Sequence, residues 1–197
     1  MNMILTAILV APFLNNTTLD KESKEAVEAF QEIYYGENTE EVDRLLAIQQ
    51  LANVPHNKTA EVLGGLLFHA PDNHRVEAAI ALANFHEIRG MSSLVIGALL
   101  SPSNRNHTEL RVALIKTAES LLDLASLPIL HMLINDSNLP VALSAINAIP
   151  SFEREESIMT LKRGSEQAGE NADRSSLKRR IALQQALRDL RDNLDQK

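Results

Sequence analysis

RVEAAIALANFHEIRGMSSLVIGALL, residues Arg75–Leu100, is the stretch whose reading decides the fold. Val76, Ala79, Ile80 and Ala83 recur at helical spacings, and Leu82 and Phe85 widen the same side. That is the period of a helix with one buried face. Ala78, Ala79, Ala81 and Ala83 favour helix and let a neighbouring helix come close. Gly90 then supplies a turn conformation that other residues resist. Ser92 or Ser93 is expected to cap a second helix, whose apolar face is Leu94, Val95, Ala98 and Leu99. Ser101-Pro102 stops it, because proline disfavours helix in the residue before it and lacks an N–H. The stretch reads as a helical hairpin.

Neighbouring segments echo it. A shift of 31 residues (75 minus 44) lays Arg44 on Arg75 and Leu51-Ala52-Asn53 on Leu82-Ala83-Asn84. Each is followed by a short turn and a second apolar run, Val62–Leu67 or Leu94–Leu100. Further copies start at Arg111 and Pro140, so the four starts lie 31, 36 and 29 residues apart. Unequal spacing fits repeats whose loops vary while the helix pair is kept.

These residues resemble the HEAT-repeat family, and more narrowly its short, alanine-rich bacterial form, the HEAT-like or phycobilisome-lyase-type repeats. In that form an Asp and an Arg open the first helix ahead of an A-x-x-A-L-A/G core. Asp72, Arg75, Ala79, Leu82 and Ala83 match; Asp43-Arg44 and Arg111 match less fully, and Pro140 replaces the arginine. The resemblance covers about residues 40 to 163. It implies an all-α fold, a right-handed alpha-alpha superhelix of about four hairpin repeats with helical caps. It also implies a scaffold that binds another protein through its concave face, lined by second helices. A few family members resemble bilin lyases or metal-dependent enzymes, which keeps a lyase-like or metal-dependent enzyme, or a subunit of one, as an alternative.

Composition narrows the classes. The chain has 197 residues, 45% of them hydrophobic but only 4% aromatic, with no tryptophan. A core of Leu, Ala, Ile and Val suits closely stacked helices. A single repeat cannot bury its own apolar face, so stacking must supply stability. The formal net charge of −7 argues against nonspecific nucleic-acid binding. There is no cysteine, hence no disulfide, thiolate nucleophile or sulfur metal ligand. No cofactor is expected.

Residues 1–14, MNMILTAILVAPFL, form the most apolar run. Their length suits the hydrophobic part of a secretory signal peptide and is short for a membrane span. No Lys or Arg precedes the run and no clear A-x-A site follows, so an N-terminal helix is the alternative. Periplasmic or secreted and cytoplasmic locations both stay open. Asn15–Thr18 reads as a polar break before a lead-in helix within residues 15–38, with Ala26, Val27, Phe30, Ile33 and Tyr34 on one face. Repeats occupy residues 39–163, Asn38 or Thr39 capping the first. The glycine-containing polar run at 164–174 reads as a linker. A last helix spans 175–197, with Leu183, Leu187, Leu190 and Leu194 as a coiled-coil-like seam. That seam either caps the repeats or joins a second chain, which gives a structural oligomer as a further alternative.

Candidate sites follow from residue type. His69 and His74 flank Pro71, and His86 lies one helix on, a weak metal set without a standard ligand spacing. Arg44, Arg75 and Arg111, at repeat starts, are expected to pair with Asp43, Asp72 or Glu109 and organise the repeats. Asn53 and Asn84 end matched helices and are expected to cap or bridge turns. Arg174, Lys178, Arg179 and Arg180 open the last helix, where cations sit poorly against the helix dipole. They are the candidates for contact with an acidic partner or with membrane headgroups. No catalytic residue is assigned.

Overall fold

The computed structural model describes residues 4–169 and 173–196, with side chains from residue 18 onward. Among these residues every regular element is a helix. The side chains of the apolar run at 1–14 lie outside the described residues. The chain divides into two compact units, the first ending at Arg89 and the second beginning at Gly90. The division falls inside the stretch read above as one hairpin.

The first unit holds α1 (Ile4–Tyr34), α2 (Glu41–Leu51), α3 (Asn57–His69) and α4 (Asp72–Ala81), the last extended by a 3-10 turn at Leu82–Asn84. α1 packs on α2 and α3, and α4 packs on both α2 and α3. Phe30, Ile48, Leu51, Leu63, Leu67, Leu82 and Phe85 fill the core between them. The expected break at Asn15–Thr18 lies inside α1. Asn and Thr each cost only roughly 0.5–0.7 kcal/mol in a helix, too little to stop one. The first repeat helix starts at Glu41 with Glu40 at the cap position and no side-chain cap, so neither Asn38 nor Thr39 serves. α3 is capped instead by His56, whose Nδ1 accepts from Lys58 N (3.2 Å) while Thr59 Oγ1 accepts from His56 N (3.1 Å). The apolar face of α4 also turns from its expected place. Held between two helices, α4 buries His74, Ala78, Ala79 and Ala81, and leaves Ile80 53% exposed.

The second unit holds α5 (Met91–Leu100), α6 (Thr108–Leu121), α7 (Leu127–Leu133), α8 (Leu139–Ala148), α9 (Glu156–Gly169) and α10 (Arg174–Asp195). α6 packs on α5 and α8, α7 on α8, and α10 on α8 and α9. Gly90 opens α5 in the left-handed region (φ +89°), which a Cβ disfavours. Gly90 occupies the cap position, so the expected serine cap does not form. Ser92 is buried inside the helix and hydrogen-bonds the Asp123 carboxyl, which sits below its usual range through the Ala125 N–H first and Ser92 second. α8 starts on Asn138, which accepts from Val141 N (3.4 Å), with Pro140 tolerated in the first turn. α10 starts on Asp173, which accepts from Ser175 N (2.7 Å) and Ser176 N (2.9 Å).

Residues 164–169, read as part of a linker, continue α9. Gly164 is buried, and a Cβ there would stand 3.0 Å from Ile134 Cδ1 and 3.3 Å from Leu183 Cδ2. Glycine marks close approach here, not a break. Two of the four seam leucines of α10 face inward, Leu183 and Leu190, fully buried in a unit where α10 packs on α8 and α9, while Leu187 and Leu194 are half-buried.

Candidate functional site

The first unit carries a built feature. Between the last turns of α1 and the body of α3 lies a groove of about 440 Å³, lined by Phe30, Tyr34, Tyr35, Val62, Gly65 and Leu66, with His69 at one end. Its aromatic wall follows from the helical period of α1, which puts Phe30 and Tyr34 one turn apart, stacked at 4.8 Å. Tyr35 stands edge-on to Tyr34 (5.0 Å) and remains exposed. On the α3 side Gly65 leaves the helix backbone bare, since a Cβ there would meet nothing within 4 Å.

Behind the groove Tyr34 is fixed by a polar chain. Its hydroxyl lies 2.7 Å from His74 Nδ1, and His74 Nε2 lies 2.8 Å from Glu41 Oε1. A carboxylate only accepts, so the imidazole donates from Nε2 to Glu41, and in its neutral form it accepts at Nδ1 from the phenol. Asn73 Nδ2 donates to the same Glu41 oxygen. The Asn73 hydrogen bond, helped by His74, holds the Glu41 carboxyl below its usual range, while burial pushes the Tyr34 phenol up. Carboxylate, imidazole and hydroxyl are the parts of an activated nucleophile. Here, however, the chain ends on a buried phenol. What it does is tie the end of α1 to the first turns of α2 and α4. Tyr34→Phe leaves His74 Nδ1 buried without its donor. The expected cost is about 1–3 kcal/mol, read as a lower urea midpoint with unchanged slope.

The histidine set does not assemble. His74 turns inward to Tyr34 and Glu41, whereas His69 is exposed at the end of α3 and His86 is exposed beside Glu87 (3.9 Å). Among the described residues no group of three His, Asp or Glu could hold a metal ion.

The repeat arginines reach main-chain carbonyls. Arg44 donates to Tyr34 O (2.6 Å), Gly36 O (3.0 Å) and Thr39 O (3.4 Å). Arg75 Nε donates to Ala70 O (2.6 Å). Both Nε atoms reach the carbonyl five residues back, so the 31-residue echo extends to this contact. Asn84 Nδ2 bridges to Ala52 O (3.3 Å), linking the matched ends; Asn53 is exposed. Asp72 opens α4, where its charge suits the helix N-terminus. Arg111 does otherwise: it turns inward to Asp136, 25 residues on, in place of its neighbour Glu109. Of the basic run on α10, Arg174, Lys178 and Arg180 are exposed, while Arg179 Nη2 donates to Asp136 O (2.7 Å).

Two features escaped the sequence. Tyr34 read only as an apolar face residue, and Glu41 carries no motif. The second is a pair of bare glycines. Gly97 occupies mid-α5 as Gly65 does mid-α3, and a Cβ there also meets nothing within 4 Å. The alignment Val62–Leu67 on Leu94–Leu100 held that signal. Gly97→Ala is expected to stabilise by about 0.5–1 kcal/mol, raising the thermal midpoint by roughly 1–4 °C.

No family model matches the chain, and no curated protein matches it.

Proposed function

We propose that this chain is a non-catalytic protein–protein interaction scaffold or adaptor of the HEAT-like type. The proposal includes its finer architecture, a right-handed solenoid of about four hairpins whose second helices carry the binding face. The observation that carries it is Gly65 at the groove between α1 and α3. A mid-helix glycine costs about 0.5–1 kcal/mol against alanine, and no packing contact at this position repays that. Bare backbone beside Tyr35, Val62 and Leu66 fits close approach of a partner segment. Tyr34, pinned from behind by His74 and Glu41, keeps the groove wall preorganised, which lowers the entropic cost of binding.

The test is affinity capture from native extract with intact protein and with Gly65→Trp, read by mass spectrometry. Tryptophan fits the open position without disturbing the core and fills the groove. A reproducible protein partner held by the native chain and lost with Gly65→Trp supports the proposal. Equal capture by both, or a metal or pigment co-purifying in place of a protein, overturns it.

A further inference from the structure

The first half of α10 presents a surface that the groove does not explain. Leu177 and Ile181, one turn apart, are 55% and 56% exposed, while Leu183, Ala186 and Leu190 take the inward face. By helical projection Arg180 lies to one side of the Leu177–Ile181 row, and Arg174 and Lys178 lie to the other. All three cations are exposed, and none forms an ion pair among the described residues. Arg174, in the first turn, gains nothing from the helix dipole, whose positive end it faces, while the Arg180 guanidinium lies along Gly169 at the end of α9. Two large apolar side chains framed by these cations form an apolar centre with a charged rim, the pattern of a docking surface.

We infer that the Arg174–Ile181 face of α10 docks an acidic amphipathic segment of a partner protein. Apolar side chains of the partner cover Leu177 and Ile181, and its carboxylates meet Arg174, Lys178 and Arg180. Charge complementarity selects this occupant in a chain whose net charge is −7. An anionic bilayer fits less well. Further along the same helix stand Asp189, Asp192 and Asp195, which would meet the headgroups with like charge if α10 lay flat. A second copy of this chain, whose Asp192 and Asp195 would meet these cations in an antiparallel α10 pair, is the competing occupant that sedimentation separates below.

The experiment is fluorescence anisotropy of the full chain with a labelled Glu/Leu amphipathic peptide of roughly four helical turns. The expected result is saturable binding that weakens at least about tenfold with Lys178→Glu/Arg180→Glu, and again with Leu177→Ser/Ile181→Ser. These positions are exposed, so the thermal midpoint should hold. Gly65→Trp should bind the peptide as the native chain does, which separates this surface from the groove. The inference is overturned if the peptide does not bind, or if the variants bind it equally. It is also overturned if phosphatidylglycerol vesicles bind the native chain and the peptide does not, or if the native chain sediments as a dimer that these variants dissociate.

Discussion

Asp136→Ala is expected to cost the second unit about 3–5 kcal/mol, the usual effect of removing one partner from a buried ion pair. Arg111 is only 8% exposed. Its Nη1 reaches Asp136 Oδ1 at 3.3 Å and its Nη2 reaches Oδ2. Asp136 also accepts from Asn138 N (2.8 Å), which fixes the turn before α8. The surroundings offer Arg111 little else, for its Nε is buried without a hydrogen-bond partner, as is Arg179 Nε. Alanine therefore strands a guanidinium in the interior. Burial alone would push the Asp136 carboxyl up, but Arg111, Asn138 N and Arg179 outweigh it and hold the carboxyl below its usual range. The folded pKa is lower than the unfolded one, so this stabilisation is fully present above the unfolded value of about 4 and fades as pH falls through the folded value. Urea unfolding of native and Asp136→Ala chains should differ most near neutral pH and converge in acid. Arg111→Met/Asp136→Leu should recover much of the loss, because an apolar pair bears no desolvation cost. If the single variant unfolds like the native chain, the pair contributes nothing.

Gly164→Val is expected to cost about 2–3 kcal/mol, with the damage centred on α9 and α10. A bare Cβ already stands 3.0 Å from Ile134 Cδ1 and 3.3 Å from Leu183 Cδ2, and valine adds two methyls beyond it. α9 must move outward or Leu183, itself fully buried, must leave its rotamer. Gly164→Ala should come out near neutral, its gain in helix propensity offset by crowding. The sign thus reverses between Gly164 and the open Gly97. Hydrogen exchange should show faster opening of α9 and α10 in Gly164→Val. Protection equal to the native chain there would mean that the helices do not depend on that close approach.

Which features the sequence disclosed follows from their range. The period of the apolar residues and the arginine echo are local signals, and they locate the helix pairs well; the runs Val62–Leu67 and Leu94–Leu100 fall within α3 and α5. Signals that depend on a distant neighbour misled. Ile80 belongs to the apolar period of α4, yet α2 and α3 choose the side that is buried. Gly164 has the composition of a linker, because glycine at a close crossing and glycine at a break are the same letter. Asp136 sat in a polar turn, and nothing local indicates that a guanidinium 25 residues earlier closes on it. The groove shared this difficulty. Tyr34, Glu41 and His74 come from three helices, and only the packed first unit brings the phenol, imidazole and carboxylate into line.

The two arginine contacts have a consequence for how the first unit opens. The free carbonyls at the end of α1 are closed by Arg44, which belongs to α2, and the end of α3 is closed by Arg75, which belongs to α4. A helix end that borrows its cap cannot fray alone: losing the donor helix exposes the carbonyls of the one before it. In the first unit local opening therefore passes backwards, from α2 to the end of α1 and from α4 to the end of α3, so that each of these two helix ends is coupled to the arginine that follows it.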